Sequence, residues 1–349
     1  MMNYAQVIAK LEQLKTGKNI ADTEHILQLF SKISGKEGVF KILYLQNTFE
    51  DDSIGAFCES ILKEHNKKVG RFTFFAWKRP CEHILVNQKN ISQKEFAAIF
   101  EENFQDGKID MESLTQKEVY FLMALFYFDK KACDYILLPK ELKDTENKET
   151  EDIRNYKRTL LGQTYSIVGF EDLKINCGSK KDMENSVLSI RRLEQEGIIL
   201  QEKLVRKALL KTKLEGRFEV LNTRPYVILD GADNSQATKI LMANLQYFFP
   251  ENPYIFVLGT LQENYELVVR ESAFLAQQIF TVTPPDIQNA LPGIELAREV
   301  KKLNPNITNA SSIEEAFEIV DLISGKDTVV IAFGSTALLD KCKTVATKK

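Results

Sequence analysis

With 349 residues, 44% apolar and 27% charged, the chain has the composition of a globular protein and the length of two ordinary domains. A formal net charge of −3 offers no basic footprint for nucleic acid, and no window approaches the ~18 uncharged apolar residues of a membrane span, so neither partner is expected. The five cysteines (Cys58, Cys81, Cys133, Cys177 and Cys342) form no C-x-x-C pair and read as buried free thiols of a cytoplasmic protein. His25, His65 and His83 have no ligand spacing, and no metal centre is expected from them.

The N-terminal stretch "MMNYAQVIAKLEQLK" has the spacing of an amphipathic helix with charges throughout, which is not the pattern of a signal peptide. "KILYLQ" (Lys41–Gln46) reads as a strand and Ile54–His65 as a helix. Strand, tight loop, helix is the layout of a phosphate-binding loop. Here, however, the loop carries Glu50, Asp51 and Asp52, and its first glycine is Gly55. Val69–Phe75 reads as the next strand. Capping boxes at Ser92/Glu95, Thr115/Glu118 and Ser312/Glu315 mark helix starts. The helix from Thr115 is apolar on nearly all sides and is expected to be buried; "DYILL" (Asp134–Leu138) is expected to be a buried strand.

Lys140–Arg158 is mixed charge with almost no apolar anchor and reads as an exposed loop, with a partner-binding segment as the sharper alternative. Helical patterns resume at Lys180–Glu196 and Gln201–Lys211. From Arg217 a second α/β unit begins, with strands expected at Tyr226–Asp230, Tyr254–Gly259, Gln278–Thr283 and Thr328–Phe333, and helices including Asn234–Phe248 and Ile313–Ile323. This alternation implies a parallel, doubly wound sheet whose crevice lies at the carboxyl ends of its strands, where "DGADN" (Asp230–Asn234) falls. The expected domains are 1–211, with the charged loop near 140–158, and 212–349.

Several of these segments line up in order. Glu59-Ser60-Ile61-Leu62 fixes a register that places Asn47–Ser53 on the motif G-T-N-G-K-G-S; Thr48 and Ser53 match it, all three glycines are lost, and Asp51 stands at the lysine. Further matches fall at Thr73, Glu82, Ile84, Val86 and Asn87, then at Glu118, Val119, Ala124, Tyr127 and Phe128. Pro139 falls at the glutamate of V-D-V-A-V-L-E-V-G-L-G-G-R-L-D-A-T-N, and only Asp144 and Asn147 match the D-A-T-N that follows it. Asn185 fits the asparagine of H-Q-x-x-N, with Lys180 and Lys181 in place of the H-Q. "LEGRFEVL" (Leu214–Leu221) fits P-G-R-L-E. "ILDGADNSQA" (Ile228–Ala237) fits L-D-G-A-H-N-P-x-A with Asp233 for the histidine, and Thr283–Ala297 fits T-P…R-A-L-P-x-x-E-L-A with Asn289 for the arginine.

Together they resemble the folylpolyglutamate synthase and dihydrofolate synthase family, a branch of the Mur-type ATP-dependent amide ligases. The resemblance implies an α/β fold: a Mur-ligase-like P-loop central domain, shortened by a deletion near residues 147–156, then a smaller doubly wound, Rossmann-like C-terminal domain. It also implies a reaction in which ATP activates a folate carboxylate and the amino group of glutamate attacks the acyl phosphate. On this basis Thr48, Ser53, Asn185, Arg217, Asp230 and Asn234 stand at the family's ATP-site positions, and Ser53 at its magnesium-binding serine. Each has a structural reading beside the functional one. Ser53 is a magnesium ligand or a helix N-cap. Asp230 and Asn234 touch nucleotide or hold a turn. Arg217 reaches a phosphate or a local carboxylate. Trp77, beside Phe74 and Phe75, lines a ring pocket or packs in the core.

Phosphoryl transfer needs glycine backbone and cations around the phosphates, and this loop presents acids instead. The expectation is a degenerate member with ligation lost, no cofactor bound, and a regulatory or binding role toward an intact ligase, another protein or a folate-like molecule. The alternative is an atypical but active ligase that uses Mg–ATP. An unrelated doubly wound hydrolase or dehydrogenase lacks support, since neither a nucleophile elbow nor G-x-G-x-x-G is present.

Overall fold

The computed structural model describes residues 2–15, 23–36, 39–46, 52–73, 79–105, 107, 109–140, 152–285, 287 and 289–347. The chain divides into two compact units, one holding residues 1–153, 167–173 and 185–212, the other 154–166, 174–184 and 213–349.

In the first unit α1 (Tyr4–Leu11) opens on a reciprocal cap between Asn3 and Gln6, and α2 (Thr23–Ser34) follows. "KILYLQ" forms β1 (Lys41–Gln46) as expected and leads to α3 (Ser53–Glu64). Next come β2 (Val69–Phe72), the hairpin of β3 (Ile84–Val86) and β4 (Lys89–Asn90), α4 (Gln93–Phe104), α5 (Gln116–Lys130) and β5 (Tyr135–Lys140). The sheet order is β1-β5-β2-β3-β4. β5 runs parallel to β1 and β2, and β2, β3 and β4 are antiparallel to one another in turn.

The core of this unit is built around α5. Both expected capping boxes close: Ser92 with Glu95 at α4 and Thr115 with Glu118 at α5. Every residue of α5 from Glu118 to Phe128 is buried, as its all-round apolar pattern requires. Its rings meet Phe30 and Phe72 at centroid separations of 5.2 and 5.1 Å. β2 comes so close to α5 that a Cβ on Gly70 would lie 2.6 Å from the Phe128 ring. His83 is buried in a stack between Phe72 (5.9 Å) and Tyr120 (5.5 Å). Its Nδ1 donates to the Thr73 carbonyl at 2.6 Å.

After residue 152 the structure departs from the expected loop. β6 (Arg154–Thr159), β7 (Gly162–Ile167) and β8 (Phe170–Ile175) form a three-stranded sheet in that order. β6 therefore takes the end of the charged Lys140–Arg158 stretch, and residues 141–151 lie outside the described residues. β6 escaped detection because nearly all of it is exposed and its register shifts between Arg154 and Lys157, so no apolar alternation marks it. The helices α6 (Lys180–Gln195) and α7 (Glu202–Lys211) fall where the periodicity places them. α7 lies against α3, with the Ser60 hydroxyl donating to the Ala208 carbonyl at 2.9 Å.

The larger part of the second unit is the α/β alternation read from Arg217 onward. Its elements are β9 (Glu219–Thr223), β10 (Tyr226–Leu229), α8 (Ser235–Phe248), β11 (Tyr254–Leu258), α9 (Tyr265–Ser272) and β12 (Gln278–Thr281). α10 (Gly293–Val300), β13 (Ile307–Asn309), α11 (Ile313–Ile323), β14 (Val329–Phe333) and α12 (Thr336–Thr347) complete it. The order β13-β12-β11-β14-β10-β9 is parallel except at its edge, where β9 runs antiparallel to β10. β11 and β14 are buried along their whole length, which is why they read as unbroken apolar runs. The cap of α11 differs from a simple box: Ser312 accepts from the Glu315 amide, while the Glu315 carboxylate takes the Ser311 amide at 2.6 Å. Among the described residues no helix is long and apolar enough to cross a membrane.

Burial holds His83 neutral, with its pKa lowered to about 4 from an ordinary 6.5. Below pH ~6.5 the unfolded chain takes up a proton that the fold refuses, so stability falls as pH drops from about 6.5 to about 4 and then levels. The effect is roughly 2–3 kcal/mol between pH 7.5 and 4.5. His83→Phe keeps the ring stack and removes the titration. Its unfolding free energy is expected to fall less than the parent's over this range by that amount; an identical pH profile would mean that His83 is not buried neutral.

Candidate functional site

In the first unit the site lies where β1 feeds α3. Thr48 lies outside the described residues, as does Trp77. α3 begins at Ser53, and Asp52 occupies its N-cap position. This corrects the reading of Ser53 as the cap. Aspartate is among the best N-cap residues, yet the Asp52 side chain makes no capping bond. Its Oδ2 instead accepts from Arg71 Nη1 on β2. The same guanidinium donates from Nε to Glu59 Oε2 on α3 at 2.7 Å. The other Glu59 oxygen accepts from the Gln88 backbone amide in the β3–β4 turn.

One arginine thus ties the first turn of α3, the middle of α3 and β2 together. The Glu59 side chain is fully buried and that of Arg71 is 10% exposed. Burial pushes the Glu59 carboxyl up and outweighs the pull of Arg71. Burial alone would lower Arg71, but Asp52 and Glu59 hold it above its ordinary value, so it stays a cation. Gly55 makes room for the pair: a Cβ there would lie 2.9 Å from Asp52 Oδ1 and 3.1 Å from Arg71 Cδ. Arg71 was not singled out in the sequence. Its signal was a charge inside a wholly buried strand, which calls for a buried partner of opposite sign.

Two of the expected residues do meet. Asn185 Nδ2, on α6, donates to Ser53 Oγ at 2.7 Å, and both residues are buried. The bond is backed by Ser189, whose hydroxyl lies 2.7 Å from the Asn185 carbonyl and 3.1 Å from that of Ile54.

In the second unit Arg217, Asp230, Asp233 and Asn234 gather at the carboxyl end of β10. Asp230 Oδ2 accepts from the Phe218 amide at 2.8 Å and Oδ1 from the Ala232 amide at 2.9 Å. The Gly231 amide donates to the Gly216 carbonyl at 2.8 Å. These bonds fix the loop that carries Arg217. Asn234 caps α8 by accepting from the Ala237 amide at 2.9 Å, and its Nδ2 donates to Asp233 Oδ1 at 3.1 Å. Asp230 and Asn234 therefore do the work of a strand-to-helix turn. Burial pushes Asp230 up to about 6, with Arg217 pulling the other way. Asp233 is raised by burial too and faces the same arginine. Among the described residues no group of three or more His, Cys, Asp or Glu side chains is arranged to hold a metal ion.

Residues 216–336 match the family described as Mur ligase, glutamate ligase domain. The dihydrofolate synthase/folylpolyglutamate synthase of Buchnera aphidicola subsp. Acyrthosiphon pisum (strain APS) is 30% identical over 141 residues. That alignment takes in 39% of this chain and about a third (33%) of the Buchnera protein. The folylpolyglutamate synthase of Thermotoga maritima superposes with a TM-score of 0.79 at 22% identity, covering 99% of this chain and 97% of its own. That of Mycobacterium tuberculosis, solved with ADP and AMPPCP, gives 0.82 at 14% identity over 99% and 98%. The α/β fold of these synthases thus extends over nearly the whole chain, and the family match falls in its C-terminal part.

Removing one partner of a buried ion pair leaves an uncompensated charge and costs about 3–5 kcal/mol, whereas an exposed pair is worth about 0–1 kcal/mol. Arg71→Met is therefore expected to lower the unfolding free energy, read from urea denaturation, by an amount in the first range. Lys130→Met, which breaks the half-exposed pair with Glu102, should fall in the second. Equal effects would show that the Arg71 network is not a buried ionic one.

Proposed function

We propose that this chain, built on the folylpolyglutamate synthase fold, has lost ATP-dependent ligation of glutamate to folates. It serves instead as a binding protein, a regulatory subunit for an intact ligase or a carrier of a folate-like molecule. The observation that carries this reading is the Asp52–Arg71–Glu59 network at the opening of α3. In a phosphate loop that opening offers backbone N–H groups and the positive end of the helix dipole. Here a carboxylate stands at the N-cap position, and the cation it meets, Arg71, is shared between two acids.

Mg–ATP does not fit these residues. Two like charges ~4 Å apart cost on the order of 1–4 kcal/mol at effective dielectrics of 80 to 20. Asp52 is one such charge, and the sequence adds Glu50 and Asp51, the latter at the lysine position. Pro139 stands in β5, paired with Leu45, where the family carries a metal-binding glutamate. In the second unit Arg217 faces both Asp230 and Asp233, so this cation too is met by the chain's own acids.

A second reading, an atypical but active ligase, is favoured by the Asn185–Ser53 bond and by the gathering of Arg217, Asp230 and Asn234. It draws further support from the M. tuberculosis synthase, which was solved with ADP and AMPPCP. The two readings part in a ligase assay with magnesium, ATP, L-glutamate and either dihydropteroate or tetrahydrofolate. ADP release and the mass of the folate product are followed together. The expected result is ADP at the buffer background and no glutamylated product. Turnover in the ordinary range of roughly 1 s⁻¹ or faster, abolished by Ser53→Ala, would establish the active ligase instead.

A further inference from the structure

We propose that two helix faces of this chain, one on α7 and one on α11, dock on each other between separate copies, so that the partner of each face is a second copy of the protein. α7 buries Val205, Ala208 and Leu209 and leaves Lys203, Lys207, Leu210 and Lys211 exposed. α11 buries Ile313, Ala316, Phe317 and Val320. Its Glu318, Asp321 and Leu322 are exposed, and Glu314 is partly so. Counted from Lys203 on α7 and from Glu314 on α11, both sets fall at i, i+4, i+7 and i+8, so each lies along one side of its helix. The two stripes share a spacing and are opposite in sign: three lysines with a leucine on α7, three carboxylates with a leucine on α11.

The leucines supply an apolar anchor. Leu210 is 47% exposed and Leu322 85%, with Ile323 beside it at 51%. Neighbouring charges do not cancel either stripe. Glu64 is shared by Lys207 and Lys211, at 2.6 and 2.9 Å, so two lysines meet one acid and Lys203 adds a further cation. Arg206 and Glu202 pair with each other at 2.6 Å and leave that sum unchanged. On α11, Lys341 of α12 meets Glu314 at 2.5 Å, which offsets one of the three carboxylates. All of these are exposed ion pairs, which exchange partners at little cost. With a net charge of only −3, two copies have little overall repulsion to overcome, and local complementarity steers the encounter. A basic face on an acidic one is a heterologous contact, joining unlike surfaces of two identical chains.

The test is sedimentation of the full chain over a concentration series in about 0.05 M and about 0.5 M salt, between which the screening length shrinks roughly threefold. The parent is expected to associate reversibly in low salt, with the association constant falling by about tenfold or more in high salt. Two variants each erase one stripe: Lys203→Gln/Lys207→Gln/Lys211→Gln, and Glu314→Gln/Glu318→Gln/Asp321→Asn. Glutamine has nearly the helix propensity of lysine and glutamate, so the helices are retained. Each variant alone is expected to stay monomeric where the parent associates. Mixed in equal amounts, the two should form a 1:1 dimer, because the intact α7 of one meets the intact α11 of the other. Should the α11 variant fail to fold, Leu322→Gln, at the most exposed position of the stripe, replaces it with the same expectation. A parent that stays monomeric in low salt at every concentration reached would overturn the proposal. So would association that either folded variant retains in full, or a mixture of the two variants that stays monomeric.

Discussion

Arg71 is the side chain on which the first unit turns. A cation in the middle of a buried strand is tolerated only if its charge and its donors are met, and α3 meets them twice, with Glu59 from its interior and Asp52 at its N-cap. That requirement sets the approach of β2 to α3, makes Gly55 necessary where the pair passes the helix, and draws the β3–β4 turn in through the Gln88 amide. It also decides what the strand-loop-helix opening can do. At the start of α3 the Asp52 carboxylate makes no capping bond and is turned to Arg71 instead.

The second unit repeats the pattern in different residues. Arg217 is carried on a loop that Asp230 ties down through two backbone amides, and Asp233 adds a further carboxylate facing the same arginine. In each unit, taken by itself, a cation that would suit an anionic ligand is balanced by acids of the chain. Ser53 with Asn185, and Asn234 at the start of α8, make bonds that hold the fold.

Much of this was legible in the chain. The caps at Ser92 and Thr115, the buried α5, the strands β1, β5, β11 and β14 and the helices α6 to α8 follow from local patterns of period and capping, which do not depend on distant partners. β6 was not legible, because a strand exposed on nearly all residues carries no alternation; β7 and β8 were missed although they bury several side chains, and β9 was missed at the edge of an otherwise parallel sheet. The site was readable only in part. Ser53 and Asn185 are 132 positions apart, and only the resemblance placed them in one site. The acids of the loop stood out at once, but the arginine that gives Asp52 its partner lies 19 positions on, in a different strand, and no local rule pairs the two.

The most direct measurement of the central claim is calorimetric titration of Mg–ATP into the intact protein, with a thermal-shift check. The account predicts neither heat of binding nor a shift in the unfolding temperature at millimolar nucleotide. A micromolar dissociation constant, with the fold stabilised by roughly 2.7 kcal/mol at about 100 times that constant, would contradict it. Asp52 and Arg71 would then be part of a working nucleotide site.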